Sequence, residues 1–290
     1  MHNKKITIFL YTFPALVLIF GFIYFPVTQN VIFSFYRWSA FSANKIFVGF
    51  NYYNRLFNDK TFYICLRNNG LYTIISLIFQ VGFGLVIASI LEEKFVRKTG
   101  PFFRTVFFIP SLMSLTVTGL LWTFILNPQI GILNAALKAL GLGRYAYSWL
   151  GNSNTAIFAV IGVSQWQYTG YIVLLFIIAI QKIPPELYEA AMLDGANRIQ
   201  IFFNVTIPQV KGMILLASVI TMIGAFKVFD QVYVMTAGGP GRSTEVLATY
   251  LYRSAFRNDE MGLAAALGFV IFIVTFIISV FQIKLYNIEE

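Results

Sequence analysis

Apolar residues occur along this chain in six long runs, separated by more polar segments. A helix needs about 20 apolar residues to cross the hydrocarbon core of a bilayer, and the runs reach that length. They lack the alternation of apolar and polar residues that marks the strands of a membrane barrel. The pattern therefore predicts six transmembrane helices, at residues 6–24 with an extension toward 35, 71–91, 102–126, 156–180, 213–235 and 263–281.

The composition agrees with this pattern. Hydrophobic residues make up 58% of the chain, charged residues make up 11%, and the mean hydropathy is +0.73. These values exclude a soluble domain of ordinary make-up. Lys4 and Lys5 precede the first run as in a signal peptide, but that run is too long and lacks a small-residue cleavage site. We therefore expect an all-α polytopic membrane protein with a retained first helix and a single transmembrane domain at residues 1–290.

The polar segment at residues 182–212 has the pattern of two short helices. Pro184 and Pro185 stop the preceding helix and fix the backbone for the first turn of a new one. Gly195 is the natural residue to end that helix in a left-handed conformation. A second helix is expected at residues 197–206. The segment is therefore predicted to be a helix, a glycine turn and another helix.

This segment resembles the cytoplasmic EAA loop of ATP-binding-cassette (ABC) importer permeases. The resemblance rests on the spacing of Glu189, Ala190, Ala191, Asp194, Gly195 and Pro208. It implies that these residues couple the chain to a separate ATPase subunit. The alternative is an amphipathic loop with a chance Glu-Ala-Ala tripeptide, which the spaced set disfavours. The family often has a second proline near position 212, where this chain has Gly212.

A glycine-rich segment at residues 236–244 follows the fifth run. Its Gly-Gly-Pro-Gly sequence predicts a turn in any context. With the aromatic residues at 250–256, it resembles the external loop after the fifth span in sugar-type permeases of the MalF/UgpA kind. The two resemblances together imply a six-span importer permease with a MetI/MalF-like core at about residues 67–286, which takes up a sugar or oligosaccharide by alternating access.

The resemblance also implies partners. Permeases of this kind work with a second, similar permease, a dimer of ATPase subunits and an external solute-binding protein. ATP and Mg would then be bound by the ATPase subunits, so no cofactor is expected in this chain. The sequence pI of about 9.6 suits anionic lipid headgroups better than nucleic acid, since no basic and aromatic binding face stands out.

An enzymatic activity is not expected. Cys65 and His2 are the sole cysteine and histidine, so the chain has no internal disulfide and no cysteine-histidine zinc site. The sequence contains no phosphate-binding loop with the GxxxxGK[ST] pattern and no arrangement of a nucleophile with a base.

Polar residues within apolar runs are costly in a membrane and usually face a bundle interior or water. The fourth and fifth runs contain such residues, and amide and aromatic side chains suit the hydroxyl groups and apolar faces of a sugar. In the related maltose-type permease, the positions corresponding to 164–168 and 221–228 line the sugar path. The predicted substrate path consists of Ser164, Gln165, Trp166, Gln167, Tyr168, Thr221, Lys227 and Asp230.

Alternatives remain for these residues and for the solute. In one alternative the polar groups join helix to helix, and Lys227 and Asp230, three residues apart on a helix, neutralise each other. A net charge of +9 and Lys227 would suit a charged solute such as glycerol phosphate, and a polyamine is a further charged candidate. A passive channel is a third alternative, in which a coupling loop would have no purpose.

The charge distribution bears on orientation. Lys and Arg are equally frequent on the two sides of a six-span arrangement, with Lys227 inside a span. The loop at residues 92–104 is short and basic, which is where the positive-inside rule has force. Together with the resemblance to the EAA loop, this loop predicts that both termini are cytoplasmic in a bacterial inner membrane.

Overall fold

The computed structural model describes residues 4–41, 44–93, 96 and 98–288, and most of them are helical. The all-α fold predicted from the apolar runs is confirmed. His2 and the basic residues Lys94 and Arg97, on which part of the sequence interpretation rests, lie outside the described residues.

Four described helices are long and apolar enough to cross a membrane alone: Ile8–Phe33, Lys60–Glu92, Ala156–Ile180 and Met261–Lys284. Two further candidates are bent pairs of helices, Gly100–Leu112 with Leu115–Ile125 and Arg198–Gln209 with Lys211–Lys227. Counting each bent pair as one span gives up to six, the number predicted. By length and composition, the chain is a multi-pass membrane protein.

The chain divides into two compact units, and the first comprises residues up to Phe62 together with Tyr250–Ile273. Arg55 pairs with Glu260 through two hydrogen bonds of 2.6 and 3.1 Å within this unit. Its two short strands pair in antiparallel fashion. The elements up to Asn58 are α1 (Lys4–Ile19), a π-helical stretch (Phe20–Tyr24), α2 (Phe25–Phe33), β1 (Tyr36–Arg37), β2 (Ile46–Phe47) and α3 (Asn51–Asn58).

The second unit comprises Tyr63–Thr249 and the chain from Val274 onward. The helices up to the third span are α4 (Lys60–Ser76), a π-helical stretch (Leu77–Phe83), α5 (Gly84–Glu92), α6 (Gly100–Phe108), a 3-10 turn (Ile109–Leu112) and α7 (Leu115–Ile125). After them come α8 (Ile132–Ala139), a 3-10 turn (Gly143–Tyr145), α9 (Ala156–Ile180), α10 (Pro185–Leu193), α11 (Arg198–Ile201), a π-helical stretch (Phe202–Thr206) and α12 (Ile207–Gln209).

The remaining helices complete the chain. They are α13 (Lys211–Lys227), α14 (Asp230–Thr236), α15 (Leu247–Tyr252), a π-helical stretch (Arg253–Arg257) and α16 (Met261–Ile288).

Helix α9 lies at the centre of the second unit. Most of its residues are buried or half-buried, and Val160, Val173 and Phe176 are fully buried. A side chain at Gly170 would collide with the main-chain carbonyl oxygen of Phe107 in α6. The absence of a side chain at this position therefore lets two helix backbones touch.

The predicted third span is not one continuous helix. Its two parts, Gly100–Leu112 and Leu115–Ile125, are bent by 100°. Pro110 lacks a backbone N–H and lies in a 3-10 turn, after which Met113 is extended with a ψ of 142°. The helix stops at this point, and a new one begins in a different direction.

The predicted fifth span, at residues 213–235, is also interrupted. α13 ends at Lys227, Val228 is extended with φ −57° and ψ 125°, and α14 begins at Asp230. The Asn69 side-chain amide donates a hydrogen bond to the carbonyl oxygen of Ala225 at 2.8 Å. Asn69 therefore supplies a donor that a continuous helix would take from the backbone four residues later.

Candidate functional site

A cavity of about 400 Å³ lies in the second unit, between the fourth span, the interrupted fifth span and parts of the second and third spans. Its wall combines aromatic rings, hydroxyl groups and amide groups with apolar side chains. The polar and aromatic residues of the wall are Tyr72, Ser76, Gln80, Phe108, Ser111, Ser164, Tyr168, Tyr171, Thr221, Lys227, Phe229, Asp230 and Gln231.

Five residues of the predicted substrate path line this cavity: Ser164, Tyr168, Thr221, Lys227 and Asp230. The first two come from α9, which presents them one helical turn apart on the same face. The other three come from α13 and α14, on both sides of the break in the fifth span. The structure thus brings together predicted residues that are more than 50 positions apart in sequence.

Gln165 does not line the cavity. Its side chain is buried, accepts a hydrogen bond from Gln80 at 3.0 Å and donates to the Ser76 hydroxyl at 3.1 Å. It also donates to the Ile161 carbonyl oxygen at 2.9 Å. These bonds tie α9 to the second span, as in the helix-to-helix alternative.

Gln167 and Trp166 are also placed away from the cavity wall. Gln167 is 1% exposed, donates to the Met113 carbonyl oxygen at 3.0 Å and accepts from Gln231 at 2.7 Å. Trp166 contacts Trp122 edge to face, with ring centroids 5.4 Å apart. The structure therefore places Gln165, Trp166 and Gln167 in contacts between helices, and a direct contact of these three with a solute stays a prediction.

Lys227 and Asp230 do not neutralise each other. In the part of the chain that the structure describes, neither residue forms an ion pair with the other, because the helix on which the pairing was predicted ends at Lys227. Both line the cavity, Lys227 as an exposed residue and Asp230 as a half-buried one. The wall therefore contains one positive and one negative group.

The second span supplies cavity residues that the sequence interpretation missed. Tyr72, Ser76 and Gln80 line the wall and lie four residues apart. Residues with this spacing share one face of a helix, so the polar stripe was visible in the sequence. Among the described residues, no group of three or more His, Cys, Asp or Glu side chains is placed to hold a metal ion.

The segment between the fourth and fifth spans has the predicted helix, glycine turn and helix. Gly195 follows α10 with a φ of +78°, a left-handed conformation that glycine adopts without strain. Asn197 caps the next helix, since its side chain accepts from the Gln200 backbone at 3.0 Å while the Gln200 side chain accepts from the Asn197 backbone at 2.8 Å. This helix continues through Pro208 to Gln209 rather than ending at Thr206.

The surface of this segment is open. Glu189, Ala190, Asp194, Gly195 and Pro208 are exposed, and Ala191 is half-buried. Leu193 and Ile199 are 89% and 70% exposed, so large apolar side chains flank the predicted coupling residues. The Tyr188 and Thr206 hydroxyl groups lie 3.3 Å apart and join the two helices of the segment.

Known proteins resemble this chain over most of its length. The model of the family described as binding-protein-dependent transport system inner membrane component matches residues 80–286. The probable ABC transporter permease protein YurN of Bacillus subtilis (strain 168) is 50% identical over 287 residues, which is 99% of this chain and 98% of that protein. The multiple sugar-binding transport system permease protein MsmF of Streptococcus mutans is 34% identical over 273 residues, with 93% and 91% covered.

A solved structure has the same fold. It is a crystal structure of a bacterial ABC transporter involved in the import of the acidic polysaccharide alginate, and it matches with a TM-score of 0.83 at 23% identity. The match covers 98% of this chain and 96% of that one. The family match spans more than half of the chain, and its members are transport components of the membrane and not enzymes. This chain therefore belongs to the family of binding-protein-dependent transport system inner membrane components, as a permease subunit of the ABC type.

Proposed function

We propose that this chain is the permease of an ABC importer that takes up a sugar or oligosaccharide. The observation that carries the proposal is the cavity, whose wall combines aromatic rings with hydroxyl and amide groups. Aromatic faces pack against the apolar faces of a sugar ring, and hydroxyl groups of the sugar find donors and acceptors beside them. Relatives support it by name, among them an arabinooligosaccharides transport system permease protein of Bacillus subtilis that is 33% identical.

Charge in the cavity bears on the class of solute. Lys227 and Asp230 contribute opposite charges to the wall, which favours a neutral solute over an ion of either sign. A second candidate, an anionic solute such as an acidic sugar or glycerol phosphate, is favoured by the absence of an ion pair between them, since it leaves the Lys227 ammonium available. The alginate transporter with the same fold imports an acidic polysaccharide.

The segment from α10 to α12 would couple transport to ATP hydrolysis. Glu189, Ala190 and Ala191 lie on α10, and small side chains there leave a low surface that fits into a groove. Exposed Leu193 and Ile199 would add apolar contacts to a partner. The partner in this proposal is an ATPase dimer, which binds the ATP and Mg that this chain does not hold.

Transport would proceed by alternating access. Closure of the ATPase dimer on ATP would move α10, which connects to α9 on one side and to α13 through α11 and α12 on the other. Both α9 and α13 line the cavity, so their movement would open it first to one side of the membrane and then to the other.

The proposal includes an orientation and further partners. Both termini would be cytoplasmic in a bacterial inner membrane, with a second similar permease beside this one and a solute-binding protein outside. A related alginate transporter has been solved in complex with its alginate pentasaccharide-bound periplasmic protein. In a variant without Cys65, a cysteine at Asn197 should be shielded from an impermeant thiol reagent added outside, and one at Asn152 should react, since both positions are exposed. The opposite labelling pattern would invert the orientation.

The test is uptake by the whole transporter. The complex of both permeases, the ATPase and the binding protein is reconstituted in vesicles, and neutral oligosaccharides, acidic oligosaccharides and glycerol phosphate are offered in parallel. We expect ATP-dependent accumulation of a saccharide. Accumulation of a non-sugar solute alone, or accumulation without ATP, would contradict the proposal.

A further inference from the structure

Two helix breaks frame the cavity. In the third span the break lies at Met113 and Ser114, and the helical residues on either side of it, Leu112 and Leu115, line the wall. In the fifth span the break lies between α13 and α14, and all of residues 227–230 line the wall. The shape of the cavity therefore depends on where these two breaks are held.

One chain of hydrogen bonds joins the two breaks. The Tyr72 hydroxyl donates to the Gln231 side-chain oxygen at 2.8 Å, and the Gln231 amide donates to the Gln167 side-chain oxygen at 2.7 Å. The Gln167 amide then donates to the Met113 carbonyl oxygen at 3.0 Å. Gln231 lies in the first turn of α14, so the chain runs from the break in the fifth span to the break in the third.

This chain of hydrogen bonds requires an amide side chain at position 167. The group must accept from Gln231 and donate to Met113 at the same time, and a glutamine side chain has one oxygen and one NH₂ group for these roles. The side chains of Tyr72, Gln167 and Gln231 are at most 2% exposed, so the loss of one of them removes hydrogen bonds made in a largely buried environment. The Met113 carbonyl lies outside α7, whose N-cap is Ser114, and so has no helical donor from that helix.

We propose that Gln167 is a positioning residue that holds the two breaks in register, so that both parts of the cavity wall move together during transport. Gln167 does not line the cavity and acts through Met113 and Gln231. The inference rests on the proposed function to the extent that the cavity is the transport path. The hydrogen-bond chain itself is independent of the identity of the solute.

The protein contains a matched control for Gln167 on the same helix. Gln165 lies two residues away on the same helix and is also buried, but its side chain bonds to Gln80, Ser76 and Ile161 and to neither break. Gln165→Leu and Gln167→Leu therefore remove the same chemical group from the same helix. They differ in whether the breaks lose their connection.

The experiment measures how accessible the break in the fifth span is to a thiol reagent. In the reconstituted complex without Cys65, a single cysteine replaces Val228 in the cavity wall, and its reaction rate with a small thiol reagent is followed with and without ATP. We expect Gln167→Leu to change the rate by about fivefold or more, the factor that corresponds to loss of roughly one buried hydrogen bond. Gln165→Leu is expected to change it by less than about twofold.

A double-variant cycle completes the test. Gln231→Leu interrupts the same chain, so it should reproduce the effect of Gln167→Leu, and the two changes together should do no more than either alone. Gln231→Leu with Gln165→Leu should instead show the sum of their effects. If Gln167→Leu does not reach the membrane, the comparison of Gln231→Leu with Gln165→Leu serves in its place.

The outcomes separate this inference from the proposed function. Equal rates in Gln165→Leu and Gln167→Leu, or fully additive effects of Gln167→Leu and Gln231→Leu, would overturn the positioning role. The labelling rate needs no solute. If the rate follows Gln167 while no saccharide is taken up, the proposed function fails and the positioning role stands.

Discussion

The fourth and fifth spans both supply polar residues to the cavity, but they are built differently. α9 is one helix of 25 residues, most of which are buried or half-buried, and it touches the backbone of α6 at Gly170. The fifth span is interrupted after Lys227 and resumes at Asp230. We conclude that α9 contributes to the cavity as one continuous helix, whereas the shape of the fifth span at its break depends on side chains of neighbouring helices.

The largest effect is expected from Gly170→Ala. The added methyl group would collide with the Phe107 carbonyl oxygen. Overpacking of this kind lowers the free energy of unfolding by about 1–3 kcal/mol or more. We expect low membrane abundance and a lower melting temperature in detergent. Gly162→Ala on the same helix is the control, because nothing lies within 4 Å of the added atom and alanine favours a helix. Equal stability of the two variants would mean that α9 is not held tightly against α6.

The next effect concerns the segment that joins the two spans. Proline at Gly195 cannot adopt the left-handed conformation with a φ of +78°, so Gly195→Pro should disrupt the turn after α10. We expect transport to fall at least about tenfold while the subunit remains in the membrane, since distortion by 1–2 kcal/mol or more is involved. Glu189→Lys should act in the same direction by placing a reversed charge on the exposed α10 surface.

Gly195→Asn is the control for this prediction. Asparagine tolerates the left-handed conformation, and no atom lies within 4 Å of the position of the added Cβ. Its transport should stay close to that of the unchanged protein. Normal import by Gly195→Pro or Glu189→Lys would show that this segment does not couple the chain to its ATPase.

A smaller effect is expected where the fifth span is interrupted. Asn69→Asp keeps an acceptor for the Leu247 backbone, which donates at 3.0 Å, but loses the donor to the Ala225 carbonyl oxygen. Loss of one buried hydrogen bond of this kind costs about 1–3 kcal/mol. We expect a reduced maximal rate of uptake and altered labelling of a cysteine at Val228.

Thr73→Val provides the comparison for Asn69→Asp. The Thr73 hydroxyl donates to the Asn69 carbonyl oxygen at 2.8 Å within the same helix and does not reach the break. Its removal should leave the labelling at Val228 unchanged. If the two variants behave alike, the side chain of Asn69 does not determine where α13 ends.

The smallest effect distinguishes neutral from anionic solutes. With a neutral saccharide, Lys227→Met should alter uptake by only a few fold, because Lys227 lines the wall without an ion pair to Asp230. With an anionic solute, Lys227→Met should raise the KM for that solute. The choice between the two solute classes is made by measuring uptake by Lys227→Met, Asp230→Asn and the double variant at matched abundance. If the double variant regains activity that the single variants lose, the two charges interact during the transport cycle.

These contrasts explain which parts of the molecule were visible in the sequence. The coupling segment is specified locally, because Pro184 and Pro185 start a helix, Gly195 ends it and Asn197 caps the next one. Local signals of this kind act over four residues or fewer and can be recognised in a single chain. The order of helix, glycine turn and helix was therefore predictable, apart from the extension of the second helix through Pro208.

The break in the fifth span was not predictable in this way. No proline or glycine lies between Lys227 and Asp230, and the donor that satisfies the end of α13 comes from Asn69, which is 156 residues away from Ala225. The orientation of Gln165 and Gln167 was hidden for a related reason. α9 is apolar around most of its circumference, so its pattern does not tell which polar groups face a cavity and which face another helix.

The most direct measurement of the central claim is protection of the cavity by the transported solute. A single cysteine at Gly224, an exposed position in the cavity wall, is introduced into the reconstituted complex without Cys65 and treated with a small thiol reagent during ATP-driven transport. The account predicts that the saccharide slows this reaction, while a cysteine at Gly162 on the same unit reacts at an unchanged rate. An equal rate at Gly224 with and without saccharide, in a complex that transports it, would show that the solute takes another path.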